Sequence, residues 1–195
     1  MARPRNFDEE RVLDGAVAMF REHGYEGTSV PELTTRLGIC RQSLYKTFGD
    51  KRGLYLKALE TYGRREVDSK LELLYAEGSP LENVRTFIRG FASMASMCPN
   101  EGCLTVTAMV ETRDDAEAMA MVANQVQRLE LGILTALERA QKLGEIRKDA
   151  APRQLALALT TAVYGMGLLV RLPDSGARIA SMVSFLLESL EEAGA

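Results

Sequence analysis

Between residues 41 and 52 the chain reads RQSLYKTFGDKR, which places Arg41, Gln42, Tyr45, Lys46, Lys51 and Arg52 within one short stretch. Arginine bonds guanine through two parallel hydrogen bonds and glutamine does the same with adenine. Lysine and tyrosine reach phosphate oxygens. Together these side chains are the types that read base-pair edges while gripping a polyanionic backbone. The charge balance agrees. Residues 28–57 hold six Lys and Arg against Glu32 and Asp50, a local +4, so the remainder carries −7 of the net −3. A basic segment on an acidic body points to a local polyanion site, not to a general nucleic-acid coat.

The elements that must position these residues are helical. At about 100° per residue, Leu44 and Phe48 share one face of a helix over 41–47, Gln42 and Lys46 point away from it, and Arg41 and Tyr45 flank. A first helix over 7–23 carries an apolar stripe of Val12, Leu13, Ala16, Val17 and Phe20, and Gly24 stops it. Thr28 or Ser29 caps a short second helix, with Pro31 in its first turn and Glu32 placed for a capping box; Gly38 closes it after Leu37. Cys40 stands where a capping hydroxyl would serve the third helix better. Helix, short helix, glycine turn, short helix is a helix-turn-helix layout. Backbone amides at the helix starts near Thr28 and Asp50 can also face phosphates.

Beyond residue 50, helical periodicity continues without sustained strand alternation. Segments are expected from Asp50 to near Gly78, then 79–97, 101–111, 114–143, 152–172 and 177–192. The fold class is therefore all-α, with about nine helices. The short-helix style ends near residue 50, which divides the chain into 1–50 and 51–195.

Several function classes are poorly served. The longest apolar run, LALALTTAVYGMGLLV at 155–170, is short of a membrane span and carries Thr160 and Thr161. The N-terminus has no apolar signal region, so a cytoplasmic protein is expected. Cys40, Cys98 and Cys103 are an odd set without an export signal, which argues against a disulfide framework. Cys98 and Cys103 lack zinc spacing and the lone His23 lies far off, so no metal and no cofactor are expected. A helical enzyme fails on inventory, lacking a phosphate loop, a carboxylate pair and a nucleophile with a base in any known pattern.

The run AVAMFREHGYEGTSVPELTTRLGICRQSLYKTFGDKRGLYLKAL, residues 16–59, resembles the N-terminal domain of the tetracycline-repressor (TetR) family of transcriptional regulators. Its markers are Phe20, the GY..TS turn, Leu33, LGI at 37–39, SLY at 43–45, Phe48, Lys51 and Leu54. They cover about a quarter of the chain. The resemblance implies that Arg41, Gln42, Tyr45 and Lys46 touch DNA, that Thr28 and Lys51 meet phosphates, and that Arg3 and Arg5 form an arm following the backbone or minor groove. Cys40 in a common Ser/Thr capping position and Pro31 at the second helix are departures from the pattern.

The same resemblance implies a C-terminal helical domain that dimerises and takes a small effector. A homodimer through the helices at about 152–172 and 177–192 is expected. Gly165 and Gly167 permit close approach, and Ile179, Met182, Val183, Leu186, Leu187 and Leu190 make the last helix apolar; placement of both helices in the monomer core is the alternative. Phe87, Phe91, Met94, Met97, Met109 and Tyr164 are candidates to line an apolar effector pocket, with ordinary core packing the competing reading. Cys103, at a helix start, is a candidate thiol sensor with Cys98 as partner, or a structural cysteine. The reading is a ligand-responsive regulator, in this family most often a repressor, that binds double-stranded DNA. Its alternatives are a thiol or electrophile sensor of the same fold, and a DNA-binding regulator without a ligand.

Overall fold

The computed structural model describes residues 7–97 and 102–194, without the side chains of residues 94–97. Among the described residues it forms nine α-helices and no strand: α1 (Glu9–His23), α2 (Val30–Leu37), α3 (Arg41–Phe48), α4 (Lys51–Leu74), α5 (Pro80–Met97), α6 (Leu104–Glu111), α7 (Ala116–Lys142), α8 (Pro152–Leu169) and α9 (Ser175–Gly194). The all-α expectation holds. Among the described residues no helix is long and apolar enough to cross a membrane.

Most boundaries are set by local capping chemistry. Asp8 accepts from the amides of Glu10 and Arg11 to start α1. At α2, Ser29 and Glu32 make the reciprocal capping box. Asp50 accepts from the Gly53 amide at 2.7 Å to open α4, and Ser79 accepts from Glu82 to open α5. Gly38 ends α2 with φ 66°, a left-handed conformation that suits a residue without a Cβ. As the sequence suggests, α3 has no side-chain cap, because Cys40 forms no hydrogen bond to the orphan amides.

The chain gathers into two compact units. One runs to Arg64 and takes in Leu104–Val122; the other comprises Arg65–Cys103 and the residues from Ala123 onward. The first unit thus holds α1–α3, the beginning of α4, α6 and the first turns of α7. Its fully buried residues include Ala16 and Phe20 of α1, Leu33 of α2, Leu44 of α3 and Leu54 and Leu59 of α4. A Cβ on Gly15 would stand 2.5 Å from Leu37 Cδ2, so the glycine lets α2 lie close against α1. Phe20 meets Tyr55 edge-on at 5.0 Å, and Tyr25 packs on Tyr55 at 4.7 Å.

The second unit is built on α5, α8, α9 and the bulk of α7. Its core joins Val84, Ile88, Ile133, Leu137, Val163 and Val183, among others, in one apolar cluster. The Arg147 amide donates to the Ala193 carbonyl at 2.7 Å, tying the loop before α8 to the end of α9.

Candidate nucleic-acid interface

α3 is an eight-residue helix with two chemically opposite faces. Leu44 is fully buried and Phe48 nearly so, which pins one side to the first unit's core. Arg41, Gln42 and Lys46 are exposed on the other, and Tyr45 is 38% exposed beside them. Arg41 donates to the Tyr45 hydroxyl at 3.1 Å and lies over its ring at 5.3 Å, so the two side chains hold each other outward. The four residues expected to touch DNA therefore share one solvent-facing surface.

The structure sorts the six basic residues of the 28–57 segment. Arg36 pairs with Glu22 at 3.1 Å, and Lys57 with Glu60 at 2.9 Å. Arg52 is bound by both oxygens of Asp115, at 2.6 and 2.8 Å, and by Glu117 at 2.9 Å. Hydrogen bonds from Arg52 hold the Asp115 carboxyl down at about 2, and these two carboxylates push the guanidinium's own pKa up. Arg41, Lys46 and Lys51 meet no carboxylate among the described residues. Lys51 is half-buried with its ammonium 4.2 Å above the Tyr25 ring, a contact that fixes its position without neutralising it.

Thr28 is placed otherwise than a phosphate ligand would be. It is fully buried and its hydroxyl donates to the Gly24 carbonyl at 2.6 Å, closing the turn between α1 and α2. Its side chain is not part of the exposed set. Arg3 and Arg5 lie outside the described residues.

Of the candidate effector residues, Phe87 and Phe91 stack edge-on at 5.3 Å in the second unit's core, and the half-buried Tyr164 packs against the same cluster. Burial, with a lesser contribution from the Cys103 sulfur, pushes the Tyr164 phenol up. Cys103 is half-buried immediately before α6, whereas Met109 is half-buried on α6 in the first unit. The side chains of Met94 and Met97, and all of Cys98, lie outside the described residues.

Sequence reasoning did not find the groups that buttress the α1–α2 turn and the start of α4. Glu111 accepts the Tyr25 amide at 2.5 Å, and a Cβ on Gly24 would collide with its carboxylate. Arg52 and Asp115 stand 63 residues apart, and Tyr25 and Glu111 stand 86 apart, so no local pattern marks either pair.

Comparison with known proteins places this geometry. Residues 12–58 match a family model described as bacterial regulatory proteins, tetR family, and residues 80–186 match a tetracyclin repressor-like C-terminal domain. The HTH-type transcriptional regulator YezE of Bacillus subtilis (strain 168) is 35% identical over 151 residues, covering 76% of this chain and 78% of that one. The HTH-type transcriptional repressor ComR of Escherichia coli (strain K12) is 27% identical over 174 residues, 87% of this chain and 82% of its own. Among solved structures, a cysteine mutant of the TetR family regulator CifR complexed with 26-base-pair operator DNA superposes with a TM-score of 0.83 at 26% identity, over 96% of this chain and 99% of that one. With both of its segments matched and a relative similar over most of its length, this chain belongs to the tetR family of bacterial regulatory proteins.

Proposed function

We propose that the protein is a homodimeric transcriptional repressor whose α3 reads base edges in the DNA major groove and which a small molecule releases from its operator. The observation that carries the reading is the sorting of the basic segment. Three of its six cations are spent on carboxylates, and the three that are not, Arg41, Lys46 and Lys51, stand on α3 and at the start of α4 beside Gln42 and Tyr45. Arg41 and Gln42 specify bases; Lys46, Lys51 and Tyr45 hold phosphates. Operator DNA in the CifR complex and the repressor ComR among the relatives support the reading. Residues 1–50, joined by Lys51 at the start of α4, carry the reading head, and the rest of 51–195 the effector and dimer functions. The protein acts in the cytoplasm, where its DNA is, and by binding, not by turnover.

A dimer is supported by the outer face of α8 and α9. Leu157, Thr161, Gly165 and Leu168 form an exposed stripe at helical spacing, continued on α9 by Met182 and by Phe185, which is 62% exposed. A Cβ on Gly165 would meet nothing within 4 Å, leaving room for a second helix. Ile179, Val183, Leu186 and Leu190 face the monomer core instead, so α9 has two apolar faces with different partners. One short recognition helix supplies little discrimination, and a two-fold pair reading successive major grooves corrects this. The Phe87, Phe91 and Tyr164 cluster is the region assigned to a small apolar effector.

The test is binding of the purified protein to DNA upstream of its own gene over a salt series. Affinity should fall linearly in log–log coordinates, and Lys51→Ala should reduce that slope by about one while weakening all sequences alike. Binding that neither prefers the upstream DNA nor responds to salt contradicts the assignment. For a thiol-sensing mode, favoured by the half-buried Cys103 beside Tyr164, Cys103→Ser must abolish release by an electrophile.

A further inference from the structure

Tyr25 follows Gly24, the stop of α1, and its half-buried ring joins the core of the first unit to the start of α4. The ring packs on Tyr55 at 4.7 Å, and Tyr55 in turn meets Phe20 edge-on at 5.0 Å. The Lys51 ammonium stands 4.2 Å from the Tyr25 centroid. Burial, with the Glu26 and Asp50 carboxylates nearby, pushes the Tyr25 phenol up, so the ring meets Lys51 in its neutral form. The backbone beneath the ring is held as firmly. Glu111 of α6 accepts the Tyr25 amide at 2.5 Å. Gly24 has φ 76°, where a glycine is favoured, and a Cβ there would strike the same carboxylate. The Thr28 hydroxyl closes the turn on the Gly24 carbonyl at 2.6 Å.

The partner of Lys51 matters because of what it leaves intact. Arg36, Arg52 and Lys57 are held by carboxylates, which fix a cation and also cancel its charge. A ring face fixes a cation and leaves the whole charge for a phosphate. Arg41, over the Tyr45 ring at 5.3 Å, is held in the same manner. A lysine ordered beforehand also loses less side-chain freedom when DNA arrives, which raises affinity without adding a contact.

We propose that Tyr25 is a positioning residue for DNA binding: its ring holds the Lys51 ammonium in place for a phosphate, and Glu111 holds Tyr25 in place from α6. The proposal rests on the reading of Lys51 as a phosphate cation. It makes Glu111, 86 residues from Tyr25, a determinant of operator affinity that acts through the α1–α2 turn.

The experiment measures fluorescence anisotropy of the full-length protein on the DNA upstream of its own gene over a salt series. Circular dichroism confirms native helix content in every variant. Tyr25→Leu should weaken binding about two- to fivefold, the worth of one exposed cation–ring contact. Its salt slope should stay parental because Lys51 still reaches the phosphate, whereas Lys51→Ala lowers the slope by about one. Tyr25→Phe keeps the ring and should restore parental affinity. In the Lys51→Ala background, Tyr25→Leu should cost nothing further, a result that a general loss of packing would not give. Glu111→Ala should weaken binding as Tyr25→Leu does, and Glu111→Gln, which drops the charge but keeps an acceptor oxygen, should not. Parental affinity in Tyr25→Leu, a loss that persists without Lys51, or Glu111→Gln as weak as Glu111→Ala would each overturn the proposal while leaving the operator-binding assignment untouched. Parental affinity and slope in Lys51→Ala would instead remove the phosphate reading of Lys51, and the proposal with it.

Discussion

Leu44 and Gln42 sit two residues apart on α3, and their replacement by alanine should have opposite consequences. Leu44 is fully buried. Truncation to alanine removes three methylene-sized groups at about 0.8 kcal/mol each, roughly 2.4 kcal/mol of transfer free energy before any cavity is counted. With the cavity, the expected loss is about 3–5 kcal/mol. Gln42 is exposed, so Gln42→Ala should change stability by less than about 0.5 kcal/mol. On DNA the ranking reverses. Loss of a bidentate glutamine should cost about 1–3 kcal/mol of discrimination at one base pair, or roughly 5- to 150-fold. Leu44→Ala should keep the parental base preference under conditions where it remains folded. Urea unfolding followed by circular dichroism gives the stabilities, and fluorescence anisotropy on operator and single-substituted operators gives the preferences. A Leu44→Ala protein as stable as the parent, or a Gln42→Ala protein with unchanged preference, would refute the two-faced account of α3.

Three further outcomes follow from particular contacts. Cys40→Ser supplies the hydroxyl that α3 lacks and should raise stability by about 0.5–1 kcal/mol in the same urea assay. Phe185→Asp puts a charge on the exposed α9 face, so sedimentation should report monomer with native helix content and operator affinity should collapse. Asp115 has its pKa lowered from 3.8 to about 2 by Arg52, so the pair stabilises the fold above pH 3.8 and that contribution disappears as pH falls from 3.8 towards 2. An acid-unfolding titration should show Asp115→Asn losing pH dependence in that window.

Local chemistry made much of the fold legible in the sequence. The Ser29–Glu32 capping box, the helix start at Asp50, the stop at Gly38 and the poor cap at Cys40 depend on neighbours within a few residues, and each stands in the structure as read. The faces of α3 were legible for the same reason, since Leu44 and Phe48 recur at helical spacing. Features set by distant partners were not. Arg52 reads as one more cation of a basic stretch until Asp115 and Glu117 arrive from the start of α7. Thr28 reads as a helix cap or a phosphate contact until the turn closes over its side chain. On α9, apolar composition was plain, but only packing separated inward Ile179 and Val183 from outward Met182 and Phe185.

The central claim, that two copies of α3 read DNA side by side, is tested most directly by hydroxyl-radical and methylation footprinting on the upstream operator. The account predicts two protected major-groove patches about one helical turn apart, roughly 34–36 Å, with guanine protection at the position read by Arg41 and lost in Arg41→Ala. A single patch, uniform protection, or a footprint unchanged by Arg41→Ala would contradict it.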